Sequence, residues 1–310
     1  MNGYDSPCCF RSSEIKKTRR LLWEVTTRCN LSCGFCFRTP GQPGDITPEE
    51  CERVIPFLNR IGIEDVIISG GEPFLLPWIM EIAHLLKSQG FSVDICTNGT
   101  KLTAETVAAT GEVFSEVSVS LDSHDAKIHD ALRGVPGSWE RAVRGIRQLV
   151  RRGVQVHSIS VVNQRTLPGI VECAKFLSSL GVKSTAFIAQ GNAPNRYFNP
   201  LCSPEIDVFR NAISEARAEY PDIQINTKGF PARQGFVCPA GDTVFGLDAK
   251  KALKPCILLD EEYQVDFTVM MDGAPQDATE MVGAGMFFVH GEVVDTCPGL
   301  TRERKWLQQC

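Results

Sequence analysis

The sequence predicts an α/β protein built on a parallel β-sheet. From Leu21 to Ala218 of the 310-residue chain, short runs rich in β-branched residues alternate with stretches of helical period. Glycines follow the ends of several of these helical stretches, where the left-handed conformation that glycine accepts is common. Because strands and helices alternate, we expect parallel strands joined by right-handed crossovers. A doubly wound sheet and a complete or partial barrel both satisfy this pattern.

Six strands and six helices account for the repeat. The predicted strands are Leu21–Thr27, Asp65–Gly70, Phe91–Thr97, Glu116–Leu121, Val154–Val162 and Lys183–Ala189. The predicted helices are Thr47–Ile61, Pro77–Gln89, Thr103–Ala109, Ser138–Arg152, Leu167–Leu180 and Pro204–Ala218. The first helix has the clearest start, because Thr47 can cap it, Pro48 suits its first position and Glu50 completes a capping box.

The repeat stops after the last of these helices. We therefore predict an N-terminal tail over residues 1–20, a barrel over 21–220 and a smaller C-terminal domain over 221–310. Helix ends inside the barrel are marked by Gly62, Gly90, Gly153 and Gly181.

Composition and charge limit the function. Hydrophobic residues make up 43% and charged residues 22% of the chain, which is typical of a globular protein. The net charge of −5 provides no basic excess, so no nucleic-acid partner is expected. The apolar runs are far shorter than the roughly 20 residues that span a bilayer, and residues 1–20 lack the apolar core of a secretory signal. We expect a cytoplasmic protein with no membrane partner.

Three closely spaced cysteines follow the first predicted strand. Cys29, Cys33 and Cys36 form a CxxxCxxC motif, and the loop after a barrel strand lies at the rim where active sites are built. Thirteen cysteines in a reducing compartment indicate metal binding or catalysis more than disulfides. Three thiolates on a cubane iron–sulfur cluster leave one iron without a protein ligand. The alternatives are a zinc site, which would want a fourth ligand at a matching spacing, and three incidental cysteines.

The CxxxCxxC motif, with Phe35 directly before its last cysteine, resembles the signature of the radical S-adenosylmethionine (SAM) superfamily. The resemblance implies a partial (β/α)6 TIM-like barrel, with Cys29, Cys33 and Cys36 as the ligands of a [4Fe–4S] cluster. It also implies that the open iron binds SAM and that reductive cleavage of SAM yields a 5′-deoxyadenosyl radical. A reductant such as flavodoxin or ferredoxin would supply the electron.

Further segments at predicted strand ends resemble motifs of the same superfamily. Residues 70–73 resemble its GGEP motif, whose backbone and glutamate hold the amino group of SAM, and residues 97–99 and 118–122 resemble its TNG and SxD segments. Arg133, in the following loop, is a candidate partner for a carboxylate or a solvated loop charge, and Asn163 is a SAM contact or a turn cap. The resemblance implies cofactor-binding roles for Phe35, Gly70, Gly71, Glu72, Pro73, Asn98, Ser120, Arg133 and Asn163.

A second set of cysteines lies in the C-terminal region. The segment that runs from Cys238 to Cys256 resembles the start of the auxiliary-cluster domains called SPASM and Twitch, and the shorter Twitch arrangement fits better because no tight run of further cysteines follows. The resemblance implies an auxiliary [4Fe–4S] cluster on Cys238, Cys256 and Cys297, with Cys310 as a fourth ligand. A zinc knot or unpaired thiols are the alternatives. Cys202, in the loop after the sixth strand, is a candidate hydrogen-atom donor to a substrate radical.

The resemblance leaves two classes of substrate. Enzymes with such auxiliary domains oxidise or epimerise small molecules, or they modify ribosomally made peptides. Peptide maturases often carry an N-terminal leader-binding domain, and here the first strand begins at Leu21, so we expect a small carbohydrate-like or aminocyclitol-like substrate that is epimerised or dehydrogenated. The polar rim loop 190–197 fits such a substrate. A peptide-modifying maturase is one alternative, and a non-enzymatic iron–sulfur electron carrier or sensor is another.

Overall fold

The computed structural model describes residues 18–36, 44–189, 203–228, 244–249, 251–254 and 265–266. Within these residues, ten strands form one sheet. The strands are β1 (Arg19–Glu24), β2 (Ile63–Ser69), β3 (Ser92–Thr97), β4 (Val117–Ser120), β5 (Val156–Val162), β6 (Ser184–Ala189), β7 (Gln224–Lys228), β8 (Val244–Leu247), β9 (Ala252–Lys254) and β10 (Val265–Asp266).

The sheet is an open half-barrel. Its strand order is β10-β9-β8-β1-β2-β3-β4-β5-β6-β7, in which the eight strands from β8 to β7 run parallel and β9 and β10 are added antiparallel. The predicted α/β class and partial barrel are therefore confirmed, and the six predicted strands are β1 to β6. Strands β7 and β8 extend the sheet beyond residue 220, whereas most of the predicted C-terminal domain lies outside the described residues and stays a prediction.

Helices connect the strands. They are α1 (Pro48–Arg60), α2 (Ile79–Ser88), α3 (Ala104–Val113), α4 (Ala126–Arg133), α5 (Ser138–Arg151), α6 (Ile170–Ser179) and α7 (Ser203–Glu219). The capping box of α1 is confirmed, because Glu50 N donates to Thr47 Oγ1 at 3.3 Å and Thr47 N donates to Glu50 Oε2 at 3.0 Å. In the described segments, no helix combines the length and the apolar character needed to cross a membrane.

Helix α4 was not predicted. The sequence placed Arg133 in a loop, and this was wrong, because Arg133 is the last residue of α4. Asp125 caps the helix by accepting a hydrogen bond from Lys127 N at 2.7 Å, and Gly134 ends it with a φ of 72°. At eight residues the helix is too short for its helical period to stand out.

The two faces of the sheet differ in polarity. Paired positions such as Val66 and Val93, or Ile95 and Val117, are buried in the apolar core that the helices cover. Alternate positions belong to the inner face, since successive side chains of a strand point to opposite sides. Among these alternate positions, Cys96 and Ser120 are half-buried. The residues predicted from motifs lie where β1 to β5 end, at the carboxyl edge of the inner face.

Candidate functional site

The loop that carries the three cysteines begins directly after β1 and is anchored there. Thr26 Oγ1 donates to Asp45 Oδ1 at 2.6 Å, and the Arg28 guanidinium lies 2.5 Å from Asp45 Oδ2. Thr26 Oγ1 also accepts a hydrogen bond from Arg28 N at 3.0 Å. These bonds fix the backbone that enters the cysteine motif.

The middle of the loop is bound to the last turn of α4. Ser32 N donates to the Arg133 carbonyl at 3.0 Å, and Gly34 N donates to the Leu132 carbonyl at 3.1 Å. Because these carbonyls have no partner inside the helix, the loop satisfies them. The loop is thus held both at β1 and at α4.

The two glycines of the GGEP segment let its backbone lie against the cysteine loop. Gly71 N donates to the Thr26 carbonyl and Glu72 N to the Arg28 carbonyl, each at 2.7 Å. A Cβ atom on Gly71 would overlap the Arg28 carbonyl oxygen, and one on Gly70 would lie 2.8 Å from the Thr26 carbonyl oxygen. The backbone at these two glycines therefore lies directly against the cysteine loop.

Glu72 ties the end of β2 to the end of β3. Its carboxylate is fully buried and accepts hydrogen bonds from Thr97 Oγ1 at 2.8 Å, Asn98 N at 2.7 Å and Phe74 N at 3.1 Å. Burial raises the pKa of Glu72 to about 6, although these three donors favour the ionised form. Pro73 is buried and begins a short 3₁₀ turn. Direct contact of Glu72 and Pro73 with SAM stays a prediction.

Asn98 connects β3 with the first cysteine. Its Nδ2 donates to Asn30 Oδ1 at 2.9 Å and lies 3.9 Å from Cys29 Sγ, within hydrogen-bond range for sulfur. Its Oδ1 accepts from the backbone N and the hydroxyl of Thr100. Asn98, which was predicted to contact the cofactor, therefore lies beside Cys29, a predicted cluster ligand.

Arg133 reaches the second cysteine from α4. Its Nη1 lies 3.9 Å from Cys33 Sγ, and its guanidinium carbon lies 4.9 Å from the centre of the Phe35 ring, a cation–π geometry. Its carboxylate partner here is Asp122, with Nε to Oδ2 at 2.6 Å and Nη2 to Oδ1 at 2.8 Å. Burial alone would lower the pKa of Arg133, but Asp122 outweighs it and the pKa is raised.

Asp122, the aspartate of the segment that resembles SxD, and His129 form the buried support of Arg133, and neither was a predicted site residue. Asp122 Oδ1 also accepts from Val161 N at 3.0 Å, and Asp122 N donates to His129 Nδ1 at 3.1 Å. Burial lowers the pKa of His129 to about 4, so its ring is neutral at pH 7. Burial would raise the pKa of Asp122, but Arg133 holds it below its ordinary value. The sequence feature that could have indicated this pair is an aspartate at a strand end followed eleven residues later by an arginine.

The three thiols fit the predicted iron–sulfur cluster chemically. Cys29 is exposed, and Cys33 and Cys36 are half-buried, so all three are accessible at the rim. Burial raises the pKa of Cys33, and nearby Arg133 opposes that shift. In the described parts of the chain, no three Cys, His, Asp or Glu side chains are gathered as a site for one metal ion. A cubane needs no such convergence, because each thiolate binds a different iron atom.

The remaining predicted residues are placed as follows. Ser120 is half-buried at the end of β4. Asn163 is buried, and its Oδ1 accepts from Arg165 N at 2.9 Å and Thr166 N at 3.2 Å, which is the geometry of the turn cap that was its alternative role. Five predicted cysteines lie outside the described residues: Cys202, Cys238, Cys256, Cys297 and Cys310.

The fold and the cysteine loop together define a class of protein. It is a parallel half-barrel whose first βα loop presents three cysteines at the carboxyl edge of the sheet, where barrel enzymes have their active sites. The sequence profile of the radical SAM superfamily matches residues 23–177. The chain belongs to the radical SAM superfamily, whose members bind a [4Fe–4S] cluster and SAM. The predicted superfamily is thereby confirmed.

Two relatives illustrate the sequence similarity. The chain is 36% identical over 169 residues to the AdoMet-dependent heme synthase of Methanosarcina barkeri, covering 53% of this chain and 48% of the relative. It is 34% identical over 185 residues to the mycofactocin maturase MftC of Mycobacterium tuberculosis, covering 58% of this chain and 44% of the relative. The chain thus spans less than half the length of either curated relative.

Solved structures share the fold at low sequence identity. A crystal structure of Streptococcus suis SuiB bound to SAM superposes with a TM-score of 0.72 at 16% identity, covering 85% of this chain and 65% of that one. A structure of anSMEcpe with bound AdoMet and the Cp18Cys peptide superposes with a TM-score of 0.68 at 15% identity, covering 94% and 88%. At these identities the similarity establishes the half-barrel fold alone.

Proposed function

We propose that this protein is an enzyme that holds a [4Fe–4S] cluster on Cys29, Cys33 and Cys36 and cleaves SAM reductively. The observation that carries the proposal is the pairing of two of these thiols with N–H donors at the carboxyl edge of the sheet, Cys29 with Asn98 and Cys33 with Arg133. Such donors stabilise thiolates, which are the form that binds iron. When bound, the cluster and SAM supply an electron and a radical able to abstract hydrogen from a substrate.

The residues of the chain position and shield this chemistry. Gly71 lets the backbone after β2 support the entry to the cysteine loop. Phe35 packs with Leu132 and Val161 in a small apolar cluster that also contacts Cys33. These apolar side chains exclude water from one side of the loop. The Arg133 guanidinium lies over the Phe35 ring and reaches Cys33.

The proposal is tested with the anaerobically reconstituted chain, SAM and dithionite. We expect 5′-deoxyadenosine to form, with a flavodoxin or ferredoxin able to replace dithionite as the reductant. A Cys33→Ala variant is the control and should form none. A fully loaded wild-type cluster that forms no 5′-deoxyadenosine would instead favour the electron carrier or sensor.

A second cluster is proposed for the C-terminal region, on Cys238, Cys256 and Cys297 with Cys310 as a fourth ligand. What supports it is the resemblance of the sequence to Twitch domains. Two [4Fe–4S] clusters correspond to about eight irons per chain. Measured iron and sulfide should be close to that value in the wild type and close to half of it in Cys238→Ala. A protein that contains zinc and only about half of the expected iron would contradict the proposal of a second cluster.

For the substrate, a peptide is supported better than a carbohydrate-like or aminocyclitol-like molecule. One relative bears the name of a maturase, and structures of similar fold were determined with the precursor peptide SuiA and with the Cp18Cys peptide. The carbohydrate-like or aminocyclitol-like substrate, with epimerisation or dehydrogenation as its reaction, is the competing proposal. Its support is the polar composition of residues 190–197 alone.

Incubation with a candidate of each class distinguishes the two proposals, because only the true substrate loses hydrogen to the radical and is changed. A peptide encoded beside the gene and a deuterated aminocyclitol would each be incubated with the cluster-loaded chain, SAM and dithionite. We expect a change of mass in the peptide and none in the aminocyclitol. Deuterium that passes from the aminocyclitol into 5′-deoxyadenosine would reverse this choice.

A further inference from the structure

We propose that Arg133 is a positioning residue that raises the reduction potential of the cluster held by Cys29, Cys33 and Cys36, and that Asp122 keeps it in place. This inference rests on the proposed function, because it requires that cluster to bind.

Arg133 contacts the cysteine loop on both sides of Cys33. Its carbonyl accepts a hydrogen bond from Ser32 N at 3.0 Å, its Nη1 lies 3.9 Å from Cys33 Sγ, and its guanidinium carbon lies 4.9 Å from the centre of the Phe35 ring. A positive charge is thereby fixed beside one predicted cluster ligand. The contact to sulfur is directional, since Nη1 carries N–H groups that can donate to a thiolate.

Asp122 restricts the guanidinium to this position. The carboxylate accepts hydrogen bonds from Arg133 Nε at 2.6 Å and from Arg133 Nη2 at 2.8 Å. The remaining nitrogen, Nη1, is therefore directed to Cys33. Asp122 is itself fixed, because it also accepts from Val161 N at 3.0 Å and its side chain has no exposed surface. Arg133 cannot turn away without leaving a buried carboxylate unpaired, which is unfavourable.

The sign of the effect follows from charge. One-electron reduction adds negative charge to a cluster, and hydrogen bonds to its sulfur ligands and nearby charges set its potential. A guanidinium with its N–H directed at a ligand stabilises the reduced form more than the oxidised form. The negative charge of Asp122 opposes this stabilisation of the reduced form. However, Asp122 binds Nε and Nη2, so the Nη1 group of the positively charged guanidinium is the part of the pair closest to Cys33. The burial of Arg133 limits screening by salt.

The test is a redox titration of the reconstituted cluster, followed by electron paramagnetic resonance (EPR) without SAM. Arg133→Gln should lower the equilibrium constant for reduction at least tenfold, which is 59 mV for one electron. Arg133→Lys retains the charge and should recover most of this loss. The matched control is Arg20→Gln, which removes an arginine paired with Asp65 at 2.8 Å at the opposite end of β1 and should leave the potential unchanged.

Arg133→Gln leaves the Asp122 carboxylate without its guanidinium, so the double variant Asp122→Asn/Arg133→Gln is measured beside it. The double variant has no unpaired buried charge and should also show a lowered potential. A wild-type potential in either cluster-loaded variant overturns the inference while the proposed function stands. A wild-type chain that takes up no cluster on Cys29, Cys33 and Cys36 overturns both.

Discussion

Replacing Gly71 with alanine tests whether the backbone after β2 holds the cysteine loop in place. The new Cβ atom would overlap the Arg28 carbonyl oxygen, which belongs to the residue directly before Cys29. The loop must therefore move away from Gly71. That movement breaks the hydrogen bonds from Gly71 N to Thr26 and from Glu72 N to Arg28. At roughly 0.5–1.5 kcal/mol each, their loss should destabilise the fold by about 1–3 kcal/mol.

The functional effect of Gly71→Ala should be larger than its effect on stability. We expect the variant to unfold cooperatively in urea, yet to take up much less iron on Cys29, Cys33 and Cys36 during anaerobic reconstitution. Gly153→Ala is the matched control, because Gly153 has a φ of 71° and no atom within 4 Å of an added Cβ. Backbone strain there should cost about 1–2 kcal/mol without any change in iron content.

The comparison separates loop geometry from general instability. A Gly71→Ala protein with wild-type iron content and a wild-type EPR signal would contradict this prediction, because the loop would then tolerate displacement. Equal loss of iron in both variants would also refute it, since the loss would then follow from lower stability.

Three further predictions concern stability in urea unfolding. Asp122→Ala leaves the Arg133 guanidinium buried and unpaired, so the free energy of unfolding should fall by about 3–5 kcal/mol; a loss below 1 kcal/mol would mean that the pair is hydrated. Because burial raises the folded-state pKa of Glu72 to about 6, from 4.5, the folded protein holds this proton more tightly than the unfolded chain. The wild type should therefore lose about 2 kcal/mol from this group as pH rises from about 4.5 to about 6, a loss absent in Glu72→Gln; identical pH profiles would contradict the raised pKa. Thr47→Ala removes the cap of α1 and should cost about 1 kcal/mol without changing iron content; unchanged stability would show that the cap contributes nothing.

The sequence predicted the alternation of strands and helices well because its period was clear, and the resemblance to the radical SAM superfamily implied the partial barrel. Strands β1 to β6 are apolar runs separated by helices with recognisable starts and ends, of which Thr47 and Glu50 at α1 are the strongest example. Helix α4 was missed because eight residues show too little period, and Arg133 was consequently placed in a loop. Strand β7 was missed because Gln224–Lys228 is mainly polar and follows the last strong helical pattern.

The candidate site was predicted residue by residue but not as a network. Motif spacing identified the three cysteines, and the resemblance to the radical SAM superfamily implied the roles of Gly71 and Asn98. Neither could show that Gly71 approaches Arg28, since that contact depends on how two strand ends meet. The buried pair of Asp122 and Arg133 was missed for a similar reason: the turn that brings them together belongs to the unpredicted helix α4.

The most direct test of SAM binding to an open iron is an EPR spectrum of the reduced, reconstituted chain recorded before and after addition of SAM. If Cys29, Cys33 and Cys36 hold a cluster with one iron open to SAM, the signal from that cluster should change on addition, and Cys36→Ala should lack this response. A fully loaded wild-type cluster with the same spectrum in the absence and presence of SAM would show that this cluster has no iron open to SAM, contrary to the proposed function.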